Sequence, residues 1–579
     1  MIQIPIRIRR TLLLPALLAL APALPSIGLR AQTVAAAPAP ASVVVDPSLA
    51  SVDSMFSATY PVGGPGAAVL VSRDGRVLMR KAYGSADVEL GVPMRPDHVF
   101  RLGSITKQFT AVGILMLADE GKLSLDDEIT KFFPDYPTHG RRITVEHLLT
   151  HTSGIRSYTS IPEWRTLIRN DVTPTELIAV FRDQPMDFAP GADWRYNNSG
   201  FALLGAIIEK LSGQSYADFT RTRFFEPLGM RDTRVETHEA LIPRRVRGYA
   251  VGPGRAITNA DYISLTHPYA AGALVSTVDD LSRWGQAVTA GRLLKPETWR
   301  RAHTAYRLAD GRSAGYGHGW FLGELAGRPS VEHGGDIDGF STDGVWIPSE
   351  KLQVYVLTNA ERGFANPASM SARIAERVLG ASGAPAGVAL AAAKLDEYVG
   401  VYRVSDTERR VVTREGERLF AHRGRAPRQE LRALGNDEFV FSATGTRVAF
   451  ARQGGRVTGM RLRPRIGPEE APSPRTEETP ESAVAAPTAR VTVAPEVLDA
   501  YVGEYQLAPG FIITIRREGA GLRGRATGQN EVTLLPQTET RFALQEVDAT
   551  IEFERDESGK VTRLQLTQGG RTNPAPKIR

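Results

Sequence analysis

The chain has 579 residues, 42% of them hydrophobic, no cysteine, and a formal net charge of +6. That length fills several cores, about three or four domains by size; the missing thiols exclude disulfides, a cysteine-linked lipid anchor, a thiol nucleophile and thiolate metal sites. A pI near 9.4 does not point to nucleic acid, because Arg7, Arg9, Arg10 and Arg30 fall in a leader whose removal takes +6 to about +2.

Residues 1–31 read as an export signal. Arg7, Arg9 and Arg10 form its charged start, Thr11 to Leu24 is apolar but broken by Pro15 and Pro22, and Leu29-Arg30-Ala31 offers a cleavage site. The expected localisation is therefore periplasmic or secreted. Once the signal is removed no integral membrane span is expected; an uncleaved anchor is the alternative. The Ala/Pro-rich stretch 32–50 reads as a disordered lead-in, with order starting near Ser51.

Pro65 to Asp87 has the pattern of a hairpin turning at Arg73-Asp74-Gly75. The run from Ser104 to Glu120 is apolar on nearly every side, which predicts a buried helix ended by Gly121. Ser104 at its start meets unpaired backbone N–H groups and the positive end of the helix dipole. Lys107, three residues on, lies over the same face, where a partly neutral amine is able to take a hydroxyl proton. This is an S-x-x-K arrangement.

Further along, Val145 to Ile155 (VEHLLTHTSGI) predicts a short helix and a polar turn. His147 and His151 are spaced for a metal, but Glu146 lies outside them, unlike the zinc-hydrolase motif H-E-x-x-H. In Trp194 to Gly200 (WRYNNSG), Tyr196 and Asn198 project to one side of an extended or turn segment; the competing reading is a turn and helix cap with Tyr196 packed beside it. Pro227 to Asp232 (PLGMRD) follows. Gly272 to Trp284 predicts a strand, then a helix capped by Ser276 or Thr277.

From Tyr316 the period returns to two. YGHGWFL, SVEHGG, GFSTDGVWIP and LQVYVLTNA read as successive strands, so both ends of this domain share an antiparallel sheet with the helical middle inserted between them, and Pro367 to Leu379 forms a closing helix. Gly334 and Gly335, after His333, leave a bare strand on which a substrate backbone lies close. Gly311 to Gly315 fits G-x-S-x-G, but lacks the apolar strand before it and the helix after it, and is read as a hairpin turn.

Taken together, Ser104-x-x-Lys107, Tyr196-x-Asn198 and His333-x-Gly335 resemble the three signature elements of the class C β-lactamase-like serine hydrolases, a group that includes β-lactamases, D-Ala-D-Ala carboxypeptidases, D-aminopeptidases and esterases. The resemblance covers about Ser51 to Leu379, with VEHLLTHTSGI, PLGM and GALVSTVDDLSRW in support. Where β-lactamases carry Lys-Thr-Gly this chain has His333-Gly334-Gly335, so the fixed cation for a substrate carboxylate is missing. The resemblance implies an acyl-enzyme on Ser104, with Lys107 and Tyr196 sharing its proton. It implies an oxyanion site from the backbone N–H groups of Ser104 and Asp336 beside Gly334 and Gly335. Asn198 then orients Lys107 and the substrate amide, and His333 bonds Tyr196 or the substrate. No metal or organic cofactor is required. The substrates implied are small molecules or peptides: D-amino-acid amides, peptides, esters or β-lactams. A protein of this fold that is acylated without turnover is the alternative.

Finally, LDEYVGVY at Leu395 to Tyr402 recurs as LDAYVGEY at Leu498 to Tyr505, offset by 103 residues, each followed by short alternating strands. The expected organisation is α/β: a catalytic domain over 51–380, an antiparallel β-sheet with flanking helices and an inserted helical subdomain; a linker over 381–394; and two small all-β barrel-like modules, 395–466 and 495–572, around a Pro/Glu-rich linker, 467–494. The layout resembles bacterial D-aminopeptidases. The first module is arginine-rich, which makes an anionic envelope component a candidate partner against a plain solvated arginine surface; no aromatic ladder interleaves the charges as nucleic-acid binding requires.

Overall fold

The computed structural model describes residues 42–252, 256–380, 387–405, 408–424, 426–442, 444–480, 491–508, 511–527, 529, 531–545, 547, 549–568 and 571–579. The export signal lies outside them. The lead-in lies there only in part, and Ser42 to Ala50 corrects the expectation for its end. Val44–Val45 (β1) pairs with Arg80 and Met79, and Leu49 is fully buried ahead of helix α1, Ala50–Thr59. Two valines and a leucine supply enough apolar surface to hold this end down, whatever the alanines and prolines before them do.

A seven-stranded antiparallel sheet runs through the catalytic region in the order β1-β3-β2-β7-β6-β5-β4. Its strands are β2 Ala67–Arg73, β3 Arg76–Tyr83, β4 Phe321–Leu325, β5 Arg328–Ile337, β6 Phe340–Ile347 and β7 Leu352–Thr358. The first and last stretches meet in the middle, Val69 opposite Val356. The β2–β3 hairpin turns where Asp74 and Gly75 adopt positive φ. Only the end of YGHGWFL is strand: β4 begins at Phe321, after glycines 315, 317 and 319 have carried the chain in an irregular loop.

One face of the sheet buries α1 and α6 (Pro367–Val378) through Phe56, Val69, Val354, Met370 and Ile374. The other face covers the helical insert: α2 Thr106–Asp119, α3 Val145–Leu149, α4 Asn198–Ser212 and α5 Val278–Thr289. Nearly every side chain of α2 is buried, as expected for a helix apolar all round. Thr277 is the residue that caps α5, its side chain accepting from the Asp280 N–H.

Each C-terminal repeat forms an eight-stranded sheet in sequential order, from Gly400–Arg403 to Ser473–Pro474 and from Gly503–Ala508 to Arg571–Pro576. Bridges Tyr402–Arg475 and Tyr505–Lys577 bring first and last strands together, so both are nearly closed barrels. The repeated motif has a physical purpose. In each copy the second tyrosine is buried and its hydroxyl donates to the carbonyl of the first, Tyr402 to Tyr398 at 2.7 Å and Tyr505 to Tyr501 at 2.8 Å. The first tyrosine packs on a phenylalanine from across the barrel, Phe450 or Phe553. The interiors are filled by side chains. The expected linker over 467–494 is corrected at its start, because Ser473–Pro474 is the eighth strand of the first barrel. Its proline belongs on an edge strand, which a composition count cannot distinguish from a linker.

Candidate active site

Ser104 lies in a single turn, Gly103–Ile105, that feeds straight into α2. Two neighbours pin that turn. Leu102 donates its N–H to Leu274 O at 2.9 Å, and Thr342 of β6 donates its hydroxyl to Leu102 O at 2.8 Å. Strand β5 comes closer still. A Cβ on Gly335 would lie 1.9 Å from Leu102 O and 2.9 Å from Ser104 N, and one on Gly103, whose φ is +54°, 3.0 Å from Asp336 N. Glycine at 103 and 335 is thus what lets the backbones of Ser104 and Asp336 share one end of the cleft.

Lys107 is fully buried, and its Nζ has three neighbours: Ser104 Oγ at 3.1 Å, Asn198 Oδ1 at 2.8 Å and Ala271 O at 2.9 Å. The rings of Tyr196 and Phe201 lie within 4.8 and 5.4 Å of the amine. Burial pushes its pKa well below the ordinary lysine value. A neutral amine has two N–H bonds and one lone pair. The amide oxygen of Asn198 and the carbonyl of Ala271 are acceptors only, so they take both N–H bonds and leave the lone pair for the Ser104 hydroxyl.

Asn198 owes its place to a cap. Asn197 accepts from the Gly200 N–H at 2.7 Å and starts α4. That puts Asn198 in the first turn, with Oδ1 on Lys107 and Nδ2 donating to Thr159 Oγ1 at 3.1 Å. The two readings of WRYNNSG are thus both met, by different asparagines. Tyr196 precedes the cap. Its hydroxyl is shielded from solvent and completes no hydrogen bond, while Ser104 is close enough to counteract part of the rise that burial imposes on the phenol's pKa. We take the missing bond as a matter of alignment and Ser104 as the group the phenol faces.

His333 departs from expectation. Its Nδ1 contacts Gly334 O at 2.6 Å, which requires a proton there, and its Nε2 then accepts from the Tyr316 hydroxyl at 2.9 Å. Both nitrogens are occupied away from Tyr196, and burial lowers its pKa to about 3. It is a neutral wedge, corrected from a partner of Tyr196 or of the substrate. Three aromatic side chains that no motif assigns to the site line it: His151, Tyr316 and Phe321. His151, at a φ of +61°, lies 4.5 Å centroid to centroid from both Tyr196 and Tyr316, and Phe321 stacks parallel to Tyr196 at 6.3 Å. Glycines 315, 317 and 319 around Tyr316 are the sequence signal for that segment; the φ of His151 shows only in the structure.

The cleft in front of Ser104 holds about 480 Å³ and is lined by Asn198, Trp164, Arg165, Asp336, Asp338, Glu361 and Arg362 among others. Its cations are paired: Arg362 with Asp336 at 2.5 Å and Arg165 with Asp338 at 3.8 Å. Asp338 and Glu361 both have raised pKa values, through burial first; repulsion by Asp261 adds to both and repulsion by Asp338 adds to Glu361, while Arg165 opposes the rise at Asp338. Ser313 of the G-x-S-x-G stretch sits in a hairpin, opposite Arg307. His147 caps α3 with Thr144. Among the described residues no group of three or more His, Asp or Glu is arranged to hold a metal, and no helix is long and apolar enough to cross a membrane.

Residues 58–379 match the Beta-lactamase family, and residues 384–478 and 488–579 match a domain of unknown function, DUF3471. The chain is 30% identical over 410 residues to penicillin-binding protein 4* of Bacillus subtilis (strain 168), covering 66% of this chain and 89% of that one. It is 31% identical over 322 residues to the D-aminopeptidase of Gluconobacter oxydans (strain 621H), covering 53% and 57% of the two chains. With esterase EstB of Burkholderia gladioli it shares 30% over 351 residues, covering 53% and 89%. Among solved structures, the octameric penicillin-binding protein homologue from Pyrococcus abyssi superposes with a TM-score of 0.52 at 25% identity, covering 73% of this chain and all (100%) of that one. The D-amino acid amidase from Ochrobactrum anthropi SV3, complexed with L-phenylalanine amide, gives 0.51 at 26% identity, covering 57% and 99%.

Proposed function

The chain belongs to the beta-lactamase family of serine hydrolases, and on that premise we propose that it is a periplasmic or secreted amide or ester hydrolase working through an acyl-enzyme on Ser104. The observation that carries this is the bonding of Lys107, whose two fixed acceptors leave its lone pair for the serine hydroxyl. Ser104 Oγ attacks the substrate carbonyl while its proton passes to Lys107; Tyr196 relays a proton to the leaving group, and water takes the reverse route to release the acid. The backbone N–H groups of Ser104 and Asp336 receive the developing oxyanion, each worth about 3 kcal/mol of transition-state stabilisation. His333, neutral and occupied, gives the neighbourhood shape and no charge.

For the substrate, the balance of charge in the cleft favours an ammonium group near the reacting carbonyl. Arg362 is paired with Asp336 and Arg165 with Asp338, which leaves the Glu361 carboxyl, repelled by Asp338, as the acid of the three with no arginine on it. A D-amino-acid amide or short peptide with a free amine relieves that repulsion; a β-lactam brings a carboxylate that meets no fixed cation from residue 333. The D-aminopeptidase and amidase among the relatives support the same class. An anionic envelope ligand for the first barrel has less support, since arginines such as Arg409, Arg414, Arg423 and Arg452 are paired with carboxylates.

The test is direct. Wild-type protein is expected to turn over D-amino-acid amides faster than esters and esters faster than β-lactams, and to take up one serine-directed phosphonate by intact mass. Ser104→Ala is expected to lose both, Ser313→Ala neither. Retained turnover in the Ser104 variant would falsify the assignment, and a long-lived acyl adduct without release would replace hydrolysis with a sensing role.

A further inference from the structure

Residues 464–470, the excursion between the seventh and eighth strands of the first barrel, run along the edge of the catalytic sheet. The Glu324 N–H of β4 donates to Arg465 O at 3.2 Å, and Arg447 of the barrel donates to the Glu324 carboxylate at 2.6 Å. A Cβ on Gly323 would lie 2.2 Å from Arg465 O, and one on Gly315 1.9 Å from Gly467 O. Glu469 completes the clasp: its N–H donates to Ser313 O at 2.9 Å and its carboxylate accepts from the Ser313 N–H at 3.3 Å. The two segments held this way carry Tyr316 and Phe321, the rings that pack on His333 and Tyr196.

The Arg465 side chain goes deeper. Its two terminal nitrogens donate to the two oxygens of Glu332, at 2.5 and 2.9 Å, and the Glu332 side chain is 2% exposed. Glu332 is on β5, immediately before His333. On the same face, Asp343 of β6 sits opposite Gly334, its Oδ1 3.3 Å from where a Cβ of that glycine would be. Two carboxylates are therefore buried behind the strand whose backbone closes on Ser104, and the guanidinium that balances Glu332 comes from the C-terminal barrel. A bidentate buried pair is well ordered, and loss of one member leaves an uncompensated charge that the strand can relieve only by moving. At Gly335 there is no room to move without shifting Leu102 and Ser104.

We infer that Arg465 is a positioning residue for hydrolysis, holding β5 in register with Ser104 through Glu332, and that the first barrel is in consequence an integral part of the hydrolase. The inference rests on the serine-hydrolase reading for its kinetic arm only. In the full chain, Arg465→Met is expected to lower kcat at least ~30-fold with KM within about threefold, the split of an interaction that shapes the transition state. Glu332→Gln added to it removes the orphaned charge and is expected to return kcat to within about fivefold of wild type. Arg523→Met, on the second barrel, is expected to change nothing. Amide hydrogen exchange over 331–337 reads the same coupling without any substrate: protection falls in the single variant and returns in the double. Wild-type kcat and protection in Arg465→Met, or a double variant as slow and as unprotected as the single, overturns the inference. If the single variant does not fold, the double decides alone: a folded, active, protected double supports the inference, and any other outcome rejects it. Should protection respond as expected while wild-type protein hydrolyses nothing, the functional reading fails and the positioning of β5 stands.

Discussion

Two buried ionisable groups stand on either side of the catalytic sheet and have been treated oppositely. Lys107 is fully buried with two neutral oxygens and a hydroxyl around its amine, and its pKa is driven far down. Glu332 is as deeply buried but meets a guanidinium on both oxygens and a further donor, the Ser330 hydroxyl, at 2.5 Å. Burial without a counter-charge makes a reactive base; burial with one makes a clasp. The difference gives each group its use, and it can be attacked from both ends.

The largest expected effect comes from removing the base. Lys107→Met should lower kcat/KM by about 10⁴-fold, with the phosphonate labelling rate falling in step. The same change should raise the melting temperature at pH 7. An amine whose native pKa lies below its unfolded value costs stability wherever the unfolded chain is protonated and the native one is not, a cost that disappears only above the unfolded pKa near 10.5. A variant that is both slower and less stable would show that Lys107 is held as an ion.

Making Lys107 resemble Glu332 is the next step down. Asn198→Asp places a carboxylate on the amine where an amide oxygen was, 2.8 Å away. The amine should recover its proton and kcat/KM should fall ~10²–10³-fold at pH 7, with partial recovery as pH rises past 9. A loss that does not vary with pH would mean that Asn198 acts on the substrate and not on the lysine.

On the opposite face, Asp343 is the carboxylate left out of the clasp. Its Oδ2 makes no hydrogen bond, and its pKa rises to about 7, from burial first and then from repulsion by Glu332, with Ser371, Arg465 and Arg362 opposing. The native state thus keeps a proton that the unfolded chain gives up near 3.8. Stability from this group is complete below about pH 4, declines as pH rises to 7 and is level beyond, a span of up to ~4 kcal/mol. Asp343→Asn should abolish that decline, so thermal melts of the two proteins across pH 4–8 should diverge with the variant higher at pH 8.

Much of this was legible in the residues. Spacing and apolar periodicity suffice for α2 with Ser104 and Lys107, for the β2–β3 hairpin and for the shared sheet, because those features are local or repeat with a fixed period. Gly335 is legible as a close approach, and the 103-residue repeat as two equal modules. The rest depends on contacts between distant segments that no period encodes. Tyr316 and Phe321 look like ordinary strand residues; the Val44–Val45 strand hides behind alanines and prolines; Ser473–Pro474 has a linker's composition. Glu332 carried one unused hint: a carboxylate in a strand that alternates as a buried one does calls for a cation from elsewhere.

The smallest expected effects separate the two barrels. Tyr402→Phe and Tyr505→Phe each delete one buried hydrogen bond of the repeated motif and should each cost about 1 kcal/mol in their own barrel. Their consequences for catalysis should differ. Val448 pairs with Leu462 in the first barrel as Ile551 pairs with Leu566 in the second, so Arg447 corresponds to Thr550; counted along the sequence, the third residue past the paired leucine is Arg465 in one repeat and Gly569 in the other. The second barrel has the fold without the charged residues of the clasp. Tyr402→Phe should therefore lower kcat two- to threefold as the connection 464–470 loosens, whereas Tyr505→Phe leaves it unchanged. Equal effects on kcat would mean that the clasp is indifferent to the barrel that carries it, and that its grip on β4 and β5 resides in the connection 464–470 itself.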